Sequence, residues 1–190
     1  MKAREYLPKF VMIMSALLVM SCLLPGMIPF TREPQTPLPT MEKNANTVIE
    51  VLNGQDWQPL GALAQEKYTE EDYAKPGTLT YTVNITDDKP TNFSYGWCAV
   101  DEETLRQNFE HIDVKLFIND HELGNDVIHN VRRASPDNLL CHSLVVLITE
   151  WPAGEYKLEA VATFDEQIND GLADYEAGDY IAVYNVTVEK

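Results

Sequence analysis

Apolar and polar residues alternate with period two through most of the chain after residue 77, and that period is the signature of β-strands half-buried against a core. In Thr78–Thr86 (TLTYTVNIT), Leu79, Tyr81, Val83 and Ile85 take one face, while threonines and Asn84 take the other. This predicts an antiparallel strand with one wet face. Thr91–Val100 (TNFSYGWCAV) places Phe93, Tyr95 and Trp97 on one face, and HIDVKLFIND alternates through Ile112, Val114, Leu116 and Ile118. Residues 121–131 repeat the pattern weakly, as an edge strand would, and Arg132–Asn138 reads as a polar loop. Leu139–Ile148 is apolar on both faces, as expected of a central strand covered on both sides. EYKLEAVATF turns Tyr156, Leu158, Ala160, Ala162 and Phe164 inward, and YIAVYNVTVEK closes the series.

Three stretches break the alternation. TVIEVL (47–52), rich in β-branched residues and ending at Asn53-Gly54, predicts a short strand and turn. Trp57, Leu60, Leu63 and Ala64 have helical spacing behind Asp56, while Pro59 and Gly61 limit them to a turn or two; they read as a lid packed on the sheets. Asp101–Asn108 (DEETLRQN) has the acidic start of a short helix. The count is seven or eight strands in roughly 140 residues without long helices, an all-β antiparallel fold of the sandwich type, although spacing alone does not separate it from a barrel.

Three cysteines are present. Cys98 follows the aromatic strand, Cys141 lies in the apolar one, and Cys22 ends the N-terminal apolar segment. This pattern suits an exported chain with one disulfide, Cys98–Cys141, and one modified cysteine. The bridge is awkward in one respect: strict alternation puts Cys98 on the face opposite Phe93, Tyr95 and Trp97, unless Gly96 marks a β-bulge. The competing use of these residues is a metal site of Cys98, Cys141, His142 and His129, for which no CxxC or HxxxH spacing speaks.

Lys2, Arg4 and Lys9 precede the apolar run VMIMSALLVM, the layout of an export signal. Val19-Met20-Ser21-Cys22 resembles a bacterial lipobox, departing from it at Met20. The resemblance implies that residues 1–21 are a lipoprotein-type signal and that Cys22 becomes lipidated, anchoring the chain to a membrane. An uncleaved anchor helix and a plain cleaved signal are the alternatives, and all three place the domain outside the cytoplasm. Pro25, Pro29, Pro34, Pro37 and Pro39 then favour extended, semi-stiff chain, so residues 22–46 read as lipidated cysteine and tether, and 47–190 as the folded domain.

WPAGEYKLEAVATF followed by YIAVYNVTVEK resembles the final hairpin of bacterial immunoglobulin-like domains. Together with GWCAVDEETLRQNFEHIDVKLFIND and INDGLADYEAGDY, the chain is similar to uncharacterised predicted bacterial lipoproteins across residues 48–190. The resemblance implies an immunoglobulin-like β-sandwich and carries over no catalytic or binding residue.

The formal charge is −16, and removing residues 1–21 leaves 11 basic against 29 acidic residues, or −18. Such a field argues against nucleic-acid partners, whose phosphates need Lys and Arg. The loop 165–179 concentrates it: Asp165, Glu166, Asp170, Asp174, Glu176 and Asp179 are acidic, and no basic residue accompanies them. Oxygen ligands in this number could hold calcium, although Gly171 falls one position late for an EF-hand loop. Trp151 and Tyr175 are candidates for a carbohydrate platform, with turn packing the alternative for Trp151. There is no Gly-x-Ser-x-Gly, and His111, His121, His129 and His142 form no nucleophile–base pattern. The expectation is a non-enzymatic, membrane-anchored binding or structural module of the cell envelope, needing no cofactor, with a protein or glycan as ligand. A calcium- or carbohydrate-binding module using the 165–179 loop is the alternative, and a small carboxylate-based hydrolase a distant one.

Overall fold

The structure, a computed structural model, describes residues 36–54, 56–64 and 68–189. The expected signal, Cys22 and the prolines up to Pro34 lie outside the described residues. In chain order the elements are β1 (Thr40–Met41), α1 (Ala45–Gly54), β2 (Gln58–Pro59), α2 (Leu60–Leu63), α3 (Glu70–Tyr73), β3 (Gly77–Thr86) and β4 (Thr91–Ala99). They continue with α4 (Glu102–Asn108), β5 (Ile112–Ile118), β6 (His121–Glu122), β7 (His129–Ala134) and β8 (Leu140–Glu150). The chain ends with β9 (Gly154–Phe164), β10 (Ile168–Asn169), β11 (Asp174–Tyr175) and β12 (Gly178–Glu189). Seven of these strands exceed two residues, close to the number the alternation predicts.

Two five-stranded sheets carry the fold. In the first, β8 is central: β4 pairs along one side of it, β1 and β7 share the other side, and β2 lies beyond β4. The second runs β3-β12-β9-β5-β6. Inward side chains of both sheets meet in one cluster, with Phe93, Val146 and Ile148 from the first and Val83, Leu116, Leu158 and Val186 from the second. The alternation read from the sequence is therefore the alternation of core and solvent.

β3 lies parallel to β12, from Tyr180↔Gly77 to Glu189↔Thr86, where an antiparallel partner was expected. The turn at Asp87–Pro90 carries the chain across to the other sheet instead of folding it back. The last strand is then the neighbour left for the first long one. TVIEVL is helical, not a strand. Val48 and Leu52 are one helical turn apart and bury against Val145 and Leu147 on the outer face of β8. Asn44 caps the helix by accepting from the Asn46 amide at 2.9 Å, so periodicity and a cap override β-branched composition. The same contact explains why Leu139–Ile148 is apolar on both faces: Val146 and Ile148 face the core while α1 covers Val145 and Leu147.

The polar loop begins later than expected, because β7 pairs with β8 through Ala134. The short α2 starts after Pro59, with no side-chain cap from Asp56. α4 forms as predicted, with the Asp101 carboxylate accepting from the Thr104 amide at 2.8 Å. At the N-terminal side, β1 pairs with β8 and Pro39 is buried, so the last part of the expected tether is docked on the first sheet.

Candidate functional site: an aromatic cleft at one end of the core

The inward positions of several strands change character along their length. β3 presents Tyr81 before Val83 and Ile85, and β12 presents Tyr180 and Tyr184 before Val186 and Val188. β4 runs from Phe93 to Tyr95 and Trp97, and β9 ends on Phe164. The register sets Tyr184 beside Tyr81 and Phe164 beside Gly178, so the rings gather at one end of the core. There Trp97 meets Phe164 edge-on at 5.3 Å and Tyr175 at 4.7 Å, while Phe164 and Tyr180 stack at 4.4 Å. Tyr81 and Tyr184 stack at 5.0 Å.

The same end is under-filled. Ala160 of β9 and Ala182 of β12 are directly opposed, and two methyl groups cannot occupy the space that a leucine pair would. What remains is a cleft of about 320 Å3 lined by Tyr81, Tyr95, Trp97, Phe164, Tyr175, Tyr180 and Tyr184 over that alanine floor, with Asp72 and Lys75 also lining it. The Trp97 Nε1–H is buried and has no hydrogen-bond partner among the described residues. A buried donor left unpaired costs about 1–3 kcal/mol, so such groups normally carry an explanation.

Burial also favours the neutral form of the phenols in the cleft. It pushes the Tyr95 phenol well above its ordinary range, with the neighbouring Tyr180 and Tyr175 adding to the effect. Tyr175 is pushed up to about 12, by burial first and then by the Asp170 carboxylate, which its hydroxyl meets at 3.2 Å. Tyr180 shares its hydroxyl between the carbonyls of Glu176 at 3.0 Å and Ala74 at 3.3 Å. The cleft thus offers ring faces and neutral phenols, with one carboxylate (Asp72) and one ammonium group (Lys75) also on its lining, a chemistry suited to a ligand with apolar surface and polar groups.

Cys98 and Cys141 are joined in a disulfide, as expected. It links neighbouring strands of one sheet, Cys98↔Cys141 being in direct register. The expected bulge is absent: pairing runs unbroken through Gly96↔Ser143. Cys98 therefore stays on the outer face, opposite Trp97, and bridges a cysteine on that same face. Glycine at 96 has a packing reason instead, since a Cβ there would lie 2.8 Å from Ser143 Oγ. With both sulfurs in the bridge, neither is available as a thiolate for zinc. His142 bonds Asn130 through Nε2 at 2.8 Å, and burial, then Arg132, holds its pKa below the ordinary value.

The acidic loop is a small ribbon, β10 paired with β11. Asp170, 8 % exposed, ties the turn together: Oδ1 accepts from the amides of Leu172 at 2.7 Å and Ala173 at 2.8 Å. Asp174 accepts from Asn169 and Asp179 from Thr163, each at 2.7 Å. Asp165 and Glu166 flank the two ring nitrogens of His111 at 2.9 and 3.3 Å, and Glu176 meets Tyr180 through its backbone. The loop's carboxylates are thus dispersed onto separate partners, and among the described residues no three His, Cys, Asp or Glu are gathered for a metal ion.

Trp151 and Tyr175 do not share a platform. Trp151 is 2 % exposed and donates to Thr91 Oγ1 at 3.0 Å. Tyr175 lines the cleft beside Trp97. The tyrosines of β3 and β12 belong to no site the sequence alone proposed. Their signal was present in the pattern: tyrosine at the inward positions 81, 180 and 184, where valine and isoleucine serve the rest of the same strands. No protein-family model matches the chain, and no curated protein matches its sequence.

Proposed function

We propose that the protein is a non-enzymatic binding module of the cell envelope, held outside the cytoplasm by a lipid on Cys22, and that its ligand enters the aromatic cleft. The observation that carries this reading is the ring-lined cleft, with Asp72 and Lys75 also on its lining and with the Trp97 Nε1–H of one of its wall residues buried without a partner among the described residues. A ligand acceptor supplies the missing partner, and the rings supply contact area at small entropic cost. The fold reading is an immunoglobulin-like β-sandwich. Strand order supports it: β4, β8 and β7 form one sheet, β5, β9 and β12 the other, and the first long strand lies parallel to the last. The disulfide sits differently from that of antibody domains, within a sheet and not between sheets.

The test is a tryptophan-fluorescence titration of the native protein and Trp97→Phe, using neutral oligosaccharides and extended peptides as probes. A response in the native chain that weakens at least about fivefold in the variant, the worth of one lost hydrogen bond, supports the cleft. An equal response in both places binding elsewhere. Intact mass after membrane extraction checks the anchor, and a mature chain without acyl groups sinks it. The second reading, a carbohydrate module, is favoured by Tyr175, which brings the 165–179 loop to the cleft wall. Its calcium version requires a rise in melting temperature at millimolar calcium.

A further inference from the structure

Within the reading of the cleft as a ligand site, we infer that the ligand is an extended peptide of neutral or basic character, which adds as a strand to the free edge of β4 and places side chains in the cleft. The Cα atoms of Cys98 and Cys141 are 4.0 Å apart, the close spacing of a non-hydrogen-bonded antiparallel pair. Alternation then gives Ser94, Gly96 and Cys98 backbone N–H and C=O groups that point away from β8, while those of Tyr95 and Trp97 point towards it. β2 agrees with this phase: the Gln58 amide donates to the Pro90 carbonyl at 2.9 Å, and Pro59 pairs with Asn92 on that same side. Beyond Asn92, no described strand pairs with this edge, and Gly96 is exposed.

The opposite lip of the cleft is treated differently. β3 is also an edge strand, but Tyr68 plugs it: the Thr80 amide donates to the Tyr68 hydroxyl at 2.8 Å, and that hydroxyl donates to the Thr80 carbonyl at 3.0 Å. Proteins blunt their edges against chance pairing, and here one lip is stoppered while the other carries a row of donors and acceptors beside the unpartnered Trp97 N–H. A sugar would use the rings but not the row. An added strand uses both, alternate side chains entering the cleft and the others facing solvent. Charge selects among peptides: the 165–179 loop has six acids and no base, and a second copy of a chain carrying −16 would be repelled.

The experiment combines residue-level amide exchange on the full chain in detergent with selection from a displayed library of random decapeptides. In the free chain, the Ser94, Gly96 and Cys98 amides should exchange roughly a hundredfold faster than those of Tyr95 and Trp97. Selected peptides should alternate apolar with polar residues, be enriched in Lys and Arg, slow those three amides at least about tenfold, and lose binding when N-methylated at alternate residues. Ser94→Pro removes one edge donor while leaving the β8 ladder intact, so it should abolish peptide binding with the melting transition retained. Equal protection along β4 in the free chain overturns the inference, even if Ser94→Pro fails to fold. Trp97-dependent oligosaccharide binding without peptide selection also overturns it, while leaving the proposed function standing. Binding by neither probe removes both.

Discussion

The core has a tryptophan near each end, and the two are finished differently. Trp151 packs edge-on against Tyr156 at 5.0 Å, and its indole N–H is bonded to Thr91, itself fully buried. The Tyr156 hydroxyl donates to the Pro152 carbonyl at 2.7 Å, so the two rings that close this end are both hydrogen-bonded, while the neighbouring Asn92 Oδ1 is buried without a partner among the described residues. Trp97 is also ringed by aromatics, yet among the described residues its indole N–H has no partner, and the floor of its cleft is two alanines. Similar side chains thus build a plug at one end and a vacancy at the other. What separates them is the size of the residues opposite and the fate of one N–H. Packing to full density serves stability, and a defect left beside a polar group is where binding has room to act.

Five perturbations sharpen this comparison, and the largest falls on the closed end. Trp151→Ala removes a fully packed indole and one of the two hydrogen bonds to the buried Thr91 hydroxyl, the other coming from Gln58 Nε2 at 3.2 Å, so it should cost about 5 kcal/mol, the upper part of the range for such truncations. Trp97→Ala should cost about half as much, because part of its surroundings is already empty. Equal losses in chemical denaturation would erase the distinction. Replacing both Cys98 and Cys141 by serine should cost about 4 kcal/mol on the chain-entropy estimate for the 43-residue separation. The same measurement under reducing conditions should give a similar loss, and free thiol in the unreduced mature protein would contradict the bridge.

Ala182→Leu fills the floor of the open end. It should stabilise by about 1 kcal/mol, as cavity-filling changes do, and suppress ligand binding. A destabilised variant would mean that the space is not there. A further effect is alkaline. The Tyr175 phenol is raised to about 12 in the folded chain against about 10 unfolded. The unfolded chain therefore releases its proton first, and this contribution to stability, full below pH 10, is lost as pH rises from 10 through 12. Tyr175→Phe should flatten the loss over that window in a pH series of denaturation curves.

Much of the fold was legible because burial in a sheet writes a period of two. Leu79 to Ile85 and Tyr156 to Phe164 face inward as read, and Cys98 found Cys141. Two features were hidden for physical reasons. TVIEVL has strand composition, but its two buried residues are four apart, and only the apolar outer face of β8 gives that spacing a use. The parallel pairing of β3 depends on a strand a hundred residues later, which local pattern does not encode. The site was less legible than the fold. The acidic loop drew attention by charge, yet Asp170 serves its own turn, while the cleft arises from inward residues of four strands in different parts of the chain. The tyrosine-for-aliphatic switch at Tyr81, Tyr95, Tyr180 and Tyr184 was its only local trace.

The chain has three tryptophans, and their indole N–H groups report on the two ends without any ligand. Trp57 donates to the Leu52 carbonyl and Trp151 to Thr91 Oγ1, each at 3.0 Å, whereas Trp97 finds no acceptor among the described residues. Indole hydrogen exchange followed by NMR is the most direct measurement. The account predicts that Trp97 exchanges on the order of a hundredfold faster than Trp151 in the free protein. A Trp97 indole as protected as that of Trp151 would contradict it, since the open end would then be ordinary closed core.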